Sequence, residues 1–175
     1  DLFSPVDADP ALGGHTGPEV AEAVLSSGAH IVNDVWGLRA DPDLAAVAAH
    51  HGAPVILMHN RSNPASVEVR SRLGKAYAAA EYQDLVADVK RDLMDSVAIA
   101  RRAGIPDEHI LLDPGIGFGK TVEQNLELIR RLDEIRALGF PVLLGPSRTG
   151  IGAILGGGNA HQVKALYLFG LKTGI

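Results

Sequence analysis

The chain of 175 residues is 46% hydrophobic and 21% charged, contains no cysteine and carries a formal net charge of -5. A chain this apolar can form a packed core, and the absence of cysteine excludes disulfides and thiolate sites. The net negative charge offers no long-range attraction to nucleic acid, and no apolar run approaches the roughly 20 residues that cross a bilayer. There is also no basic-then-apolar signal segment. We therefore expect a small-molecule enzyme of the cytoplasm, with no nucleic-acid or membrane partner.

Short apolar strands alternate with helices from residue 18 onward. Prolines and capping residues mark the helix starts, and glycines mark the helix ends. The predicted elements, in chain order, are helix 18–25, strand 31–35, helix 41–49, strand 54–58, a polar loop, helix 81–103, strand 109–113, helix 121–138 and strand 141–145. Residues 1–17 and 156–175 show no such periodicity and are predicted to be irregular.

Apolar strands that are each followed by a helix predict a parallel sheet covered on both faces. The fold class is therefore α/β, and periodicity alone leaves open a closed eight-stranded barrel or an open doubly wound sheet. In both architectures the functional site lies at the carboxyl ends of the strands. Polar residues and glycines gather at four such places, residues 33–34, 58–61, 113–120 and 145–149.

The segment Asp-Pro-Gly-Ile-Gly-Phe-Gly-Lys at 113–120 is the strongest indication of function. An ionised Asp113 at a strand end can accept two hydrogen bonds from a guanidine-like edge, and the glycines let a flat ligand approach the backbone. The alternatives are that Asp113 caps a helix, or that the segment is a phosphate-binding loop. The second is disfavoured because Pro114 stands where that loop needs its first glycine.

Other strand ends carry further candidate residues. The Asn33 amide can present a donor and an acceptor to a heterocycle, or it can form hydrogen bonds with the loop backbone. Asp34 is predicted to pair with a nearby cation. His59 is predicted to be a hydrogen-bonded structural histidine, because no second ligand stands at metal-binding spacing. Met58 is equally suited to packing against the ring face of a ligand and to packing in the hydrophobic core. Arg148 suits an anionic substrate group, with a surface salt bridge as the alternative.

Four segments in this order resemble the dihydropteroate synthase family. They are Asn-Asp-Val at 33–35, Leu-Met-His at 57–59, the segment 113–120 and Gly-Pro-Ser-Arg at 145–148. The resemblance covers residues 17–155, and it implies a (β/α)8 TIM barrel. A whole barrel needs about 250 residues. We therefore expect residues 1–175 to form a single pterin-binding domain that is an incomplete barrel, with 1–17 and 156–175 outside the match.

The resemblance implies a transferase of folate biosynthesis. The reaction would join 6-hydroxymethyl-7,8-dihydropterin pyrophosphate to p-aminobenzoate, giving dihydropteroate and pyrophosphate. Asn33 and Asp113 would bind the pterin from neighbouring strand ends, and Asp113 and Arg148 would be the catalytic residues. The implied substrate-binding residues are Asn33, Met58, Asp113, Gly117, Phe118, Gly145, Ser147 and Arg148. Family members use Mg²⁺, are commonly homodimers and are inhibited by sulfonamides, although the sequence indicates no metal ligand.

The chain departs from the family at several positions. Thr149 stands where the family has lysine, and Gly14 and His15 stand where the family has the Asp-Thr end of a strand. Asp7 or Asp9 could substitute for that aspartate across an insertion. The family's magnesium-holding strand, Thr-Arg-Pro loop and final Arg-x-His strand are not found. The alternative expectation is therefore a pterin-binding homologue without synthase activity, and a third is an unrelated phosphate binder.

Overall fold

The computed structural model describes residues 5–8, 17–41, 43–61, 68–70, 74–76 and 80–145, and for 5–8, 68–70 and 74–76 it describes the backbone. The strands are β1 Pro5–Ala8, β2 Ile31–Asp34, β3 Val55–Met58, β4 Glu68–Arg70, β5 Gly74–Ala76 and β6 Ile110–Asp113. The helices are α1 Pro18–Ser26, α2 Asp43–His50, α3 Leu85–Arg102, α4 Val122–Arg130 and α5 Leu132–Arg136, with a 3-10 turn at Asp107–His109. The predicted alternation of strands and helices is confirmed.

Four strands form a parallel sheet in the order β1-β2-β3-β6. Consecutive strands of this sheet are joined by a segment that contains a helix, as parallel pairing requires. Leu112 also pairs in parallel with Val142, so within the described residues the predicted strand 141–145 is reduced to a single bridge. The α/β class with a parallel sheet is confirmed.

Two short regions of strand were missed by the sequence analysis. The prediction of an irregular segment 1–17 was wrong for β1, which pairs with β2 along its whole length. Proline at the first residue of a strand is compatible with pairing, but four residues are too few to show an alternation. The antiparallel pair β4–β5 lies in the segment predicted to be a polar loop, and its strands of three residues each are shorter still.

The long helix α3 begins later than predicted. It starts at Leu85 rather than residue 81, because Asp84 is its N-cap and accepts a hydrogen bond from the Ala87 amide at 3.1 Å. The five apolar positions predicted for its inner side are all buried: Leu85, Val89, Leu93, Val97 and Ala100. In the described segments, no helix combines the length and the apolarity that crossing a membrane requires.

The predicted helix 121–138 is divided into α4 and α5. The break lies at Arg131, whose backbone leaves the helical region with φ -111° and ψ 28°. Buried Leu128, Leu132 and Ile135 continue the helical spacing across the break, which is why the sequence predicted one helix. The predicted start is confirmed, because Thr121 and Gln124 form a capping box.

One face of the sheet packs against the helices. Val32, Val55, Leu57, Ile110 and Leu112 on this face are fully buried and belong to the main hydrophobic cluster. The same cluster contains the inner residues of α1, α2, α3 and α4. The helix-covered face therefore carries the core, and the other face is left for the site.

Replacing Leu93 with alanine is expected to lower the free energy of unfolding by about 2–5 kcal/mol, because it leaves a cavity in the main cluster. Leu93 is fully buried at the centre of α3. Urea unfolding measures the change. The control is Val24→Ala on α1, where the side chain is already 36% exposed and a loss below about 0.5 kcal/mol is expected.

Candidate functional site

Three of the predicted site residues lie on one face of the sheet. Asn33 pairs with Ile56 and Ile56 pairs with Leu111, while Met58 pairs with Asp113. Partners in adjacent strands share a face, and side chains two residues apart on a strand point the same way. Asn33, Met58 and Asp113 therefore share the face opposite the helix-covered one.

The prediction that Asn33 and Asp113 project from neighbouring strand ends was wrong. Strand β3 lies between their strands β2 and β6. At the spacing of parallel strands the two are about 10 Å apart across the sheet. Met58 occupies the end of the intervening strand. A ligand that contacts both polar groups must therefore lie across Met58.

The Asp113 carboxylate is buried and has one oxygen committed to its own loop. Oδ1 accepts a hydrogen bond from the Gly115 amide at 2.7 Å, and among the described residues no donor reaches Oδ2. Burial raises the pKa of Asp113 to about 6, opposed by the Gly115 hydrogen bond and the charge of Lys120. The alternative that Asp113 caps a helix is wrong, since Thr121 caps α4. A Cβ atom at Gly145 would lie 3.5 Å from Oδ2, so Gly145 borders the available oxygen.

Gly115 lets the loop after β6 lie directly against the end of β3. Its φ is +69°, and a Cβ atom there would overlap the carbonyl oxygen of His59. The His59 amide in turn donates to the carbonyl oxygen of Asp113 at 2.8 Å. The loop and the two strand ends therefore form one packed unit that fixes Asp113.

Replacing Gly115 with alanine is expected to cost about 3 kcal/mol or more of folding free energy, because left-handed backbone and a backbone overlap add together. Gly117→Ala is the matched control. Its φ is +86°, but no atom of the described residues lies within 4 Å of the added Cβ. It should therefore cost only the backbone term of about 1–2 kcal/mol. If chemical unfolding shows that the two variants lose equal folding free energy, the close approach of Gly115 to His59 is contradicted.

The hydrogen bonds of loop 114–120 count against the rival prediction of a phosphate-binding loop. Three of its amides are used internally: Gly115 donates to Asp113, Gly117 to the Asn125 Oδ1 at 2.8 Å, and Phe118 to the Gly115 carbonyl at 3.1 Å. The Lys120 ammonium donates to backbone carbonyls rather than projecting outward. A phosphate-binding loop needs such donors aimed at the ligand.

A small apolar cluster lies beside the polar groups at the strand ends. It consists of buried Val35, Trp36 and Met58, with partly buried Phe118 packed against them. Met58 therefore packs into a cluster that borders the site rather than into the main core. Trp36 was not singled out from sequence, although it is the single tryptophan and follows a strand end.

Asp34 is structural, as predicted, but its partners differ from the prediction. Its carboxylate accepts hydrogen bonds from the Trp36 amide at 3.1 Å and the Leu38 amide at 2.5 Å. Burial raises its pKa to about 6, while these backbone bonds and the charge of Arg39 act in the opposite direction. The two bonds hold consecutive left-handed residues, Gly37 and Leu38. Asp34 thereby fixes the loop that carries Trp36.

His59 is a hydrogen-bonded structural histidine, as predicted. Its Nε2 lies 3.2 Å from Asp92 Oδ2, and burial lowers the pKa of His59 to about 4. Arg61 donates to both oxygens of Asp92, at 2.5 and 3.1 Å, and to Asp88 at 3.1 Å. Burial alone would raise the pKa of Asp92, but the bonds from His59 and Arg61 hold it below its usual range. The acidic residues of this network, at i and i+4 on the buried side of α3, were missed from sequence.

The sequence pattern of the family described as pterin binding enzyme matches residues 16–166. The chain belongs to this pterin-binding family. The match confirms the resemblance drawn from the strand-end segments, and it ends at residue 166 rather than at the expected residue 155. It agrees with a site whose buried carboxylate, amide and apolar cluster share one end of the sheet.

Curated relatives of this pterin-binding chain include dihydropteroate synthases. The chain is 46% identical over 130 residues to the one from Clostridium beijerinckii and 43% identical over 129 residues to the one from Bacillus subtilis. Each match covers 74% of this chain, but 42% and 40% of the respective relatives. The chain thus spans less than half the length of these two proteins.

Solved structures of the same type align over a larger share of the chain. The Thermus thermophilus dihydropteroate synthase in complex with 6HMPPP matches with a TM-score of 0.76 and 41% identity, covering 99% of this chain and 64% of that one. The Xanthomonas albilineans enzyme in complex with 7,8-dihydropteroate matches with a TM-score of 0.70 and 34% identity, covering 93% and 54%. These alignments show that the chain shares the fold of this part of both enzymes.

Some predicted residues lie outside the described part of the chain. Ser147 and Arg148, and Thr149 at the position of the family lysine, belong to this group. Gly145 is the last described residue, and it lies next to Asp113. Within the described residues, no group of three or more histidine, aspartate or glutamate side chains could hold a metal ion. The Mg²⁺ implied by the family resemblance therefore stays a prediction.

Proposed function

We propose that this chain is the part of a dihydropteroate synthase that forms the pterin-binding pocket. The enzyme would join 6-hydroxymethyl-7,8-dihydropterin pyrophosphate to p-aminobenzoate and release pyrophosphate. The observation that carries the proposal is the buried Asp113 carboxylate, whose Oδ2 has no donor among the described residues. It shares a sheet face with Asn33, with Met58 between them. The 46% and 43% identities to curated synthases support the same reaction.

In this proposal the pterin lies across the end of β3. Its guanidine-like edge donates hydrogen bonds to the ionised Asp113, and the Asn33 amide contacts the other side of the heterocycle. Met58 and Gly145 line the pocket. The pairing of residue 7 with Asn33 in the β1–β2 ladder supports Asp7, rather than Asp9, as the substitute for the family's strand-end aspartate.

The chemistry is a displacement at the methylene carbon of the pterin. The bond from that carbon to the pyrophosphate oxygen breaks, a bond to the p-aminobenzoate nitrogen forms, and the amine releases a proton to solvent. No side chain of the protein acts as a nucleophile. The residues contribute alignment and charge stabilisation. Gly117, Phe118 and Ser147 would lie near p-aminobenzoate, and Arg148 would stabilise the departing anion.

Further parts of the proposal rest on the family resemblance. The parallel sheet would be an arc of a (β/α)8 barrel, and the whole protein would be a cytoplasmic homodimer that sulfonamides inhibit. Mg²⁺ would enter with the pyrophosphate group, whose charge it neutralises.

Two measurements test the proposed function. Isothermal titration with the pterin pyrophosphate should show binding to the 175-residue chain. Release of pyrophosphate should then require p-aminobenzoate. Binding without release would favour the second candidate, a pterin-binding homologue, which the threonine at position 149 in place of the family lysine supports. Absence of binding would contradict both.

A further inference from the structure

Lys120 ends the glycine-rich loop, and its charge acts on Asp113. Its Nζ donates hydrogen bonds to the carbonyl oxygens of Gly115 at 2.9 Å, Phe118 at 3.0 Å and His59 at 3.3 Å. The first two acceptors belong to the loop itself, and the third belongs to the end of β3. The side chain therefore connects both parts of the unit that holds Asp113.

The number of bonds matches the protonated form of the side chain. An ammonium has three donors and no acceptor, and three carbonyl oxygens receive them here. A neutral amine has two N–H donors, so one of these contacts would be lost. The ammonium is thus satisfied by backbone and has no donor left for a substrate phosphate.

We propose that Lys120 is a positioning residue: it ties the Gly115–Phe118 loop to the end of β3 and keeps the Asp113 carboxylate ionised and correctly placed for the pterin. This rests on the proposed function, since the pterin is the ligand that Asp113 would bind. Lys120 touches no reacting atom. It acts on binding through the loop and through its charge.

The electrostatics agree with this geometry. Burial raises the pKa of Asp113 to about 6, and the charge of Lys120 is one of the two influences that oppose the rise. Burial lowers the pKa of Lys120 to about 7, with Arg39 and Arg61 acting in the same direction and Asp113 and Asp92 against it. Removing the ammonium should therefore push the Asp113 titration to higher pH.

The experiment compares Lys120→Met with the unaltered chain. In the ligand-free protein, carbon NMR should show the Asp113 carboxyl titrating higher by about half a pH unit or more in the variant. Calorimetry should show the pterin pyrophosphate binding about tenfold more weakly at pH 6.5, where Lys120 is mostly protonated and Asp113 mostly ionised. In the variant, the loss of binding in acid should also begin at a higher pH. Lys90→Met on α3 is the control and should change neither reading.

Two outcomes would overturn the proposal. One is an unchanged Asp113 titration in Lys120→Met, even if affinity falls equally at every pH, because a merely structural role produces that pattern. The other is unchanged affinity. The NMR reading needs no pterin, so a chain that fails to bind pterin yet shows the titration shift contradicts the proposed function and not the role of Lys120 in holding Asp113 ionised.

A further variant covers the case in which Lys120→Met does not fold. Lys120→Arg keeps the charge, but its planar fork does not reproduce the three ammonium bonds. The Asp113 carboxyl should then titrate near its unaltered pH, while pterin affinity still falls several-fold. A shifted titration or an unaltered affinity in this variant would contradict the proposal.

Discussion

Asp113→Asn is expected to weaken binding of the pterin pyrophosphate by about a hundredfold or more. The asparagine keeps the shape of the side chain and can still accept from the Gly115 amide. It has no charge, however, and it can place an N–H₂ group where the pterin edge also presents donors. Calorimetry on the folded variant measures the loss.

The same substitution is expected to stabilise the fold at neutral pH. Asp113 has its pKa raised from 3.8 to about 6 by burial, so the folded chain binds the proton more tightly than the unfolded chain does. Its contribution to stability therefore becomes unfavourable as pH rises from about 4 to about 6. Above that window, Asp113→Asn should be more stable than the unaltered chain by about 1–3 kcal/mol. The advantage should vanish near pH 4.

Asp107→Asn provides the matched control. Asp107 precedes the other end of the same strand and makes an exposed ion pair with Arg101. Its loss should leave pterin binding unchanged and have little effect on stability, because an exposed ion pair is weakened by solvent screening. A variant at position 113 that binds pterin as well as this control would refute the site. An Asp113→Asn variant that is less stable than the unaltered chain at pH 7.5 would refute the claim that burial of the ionised carboxylate destabilises the fold.

Asp92→Ala is expected to destabilise the fold by about 2–4 kcal/mol. Asp92 accepts from buried His59 and, through both oxygens, from partly buried Arg61. Without it, Arg61 keeps Asp88, but His59 Nε2 loses its partner. Urea unfolding at pH 7 measures the difference.

The pH dependence of this effect distinguishes it from lost packing. The pKa of Asp92 is lowered in the folded state, so its stabilising contribution is present above its unfolded pKa of about 4 and is lost as pH falls below that value. The difference between the unaltered chain and Asp92→Ala should therefore shrink in acid. Asp95→Ala, on the exposed side of the same helix, should change stability by less than about 0.5 kcal/mol at any pH. A loss for Asp92→Ala that is constant down to pH 3 would contradict the ion-pair account.

The sequence predicted the parts of the fold whose signal is local. The core positions of α3 follow a helical period, and the start of α4 carries a capping sequence, so both are confirmed. β1 was missed because its pairing with β2 is a tertiary contact that four residues do not encode locally. The break at Arg131 was missed because the apolar spacing continues through it.

The site was predictable where strand ends alone determine it. Asp113, Met58 and Asn33 follow from the rule that parallel strands end at one edge, and they share a face of the sheet. The order of the strands is not encoded in their spacing, so β3 between them was not foreseen. The network around Asp92 and the bond from Lys120 to the His59 carbonyl join residues that are far apart in the sequence, which no local pattern reports.

The central place of β3 also determines the order in which this sheet can assemble. Residues 35–54 separate β3 from β2, whereas residues 59–109 separate it from β6. Closing the longer loop costs about 0.8 kcal/mol more chain entropy. The β2–β3 pair with α2 should therefore form first, and β6 should join late. The Asp113 loop, which needs the carbonyl of His59 as its support, would then be among the last parts to reach its final shape.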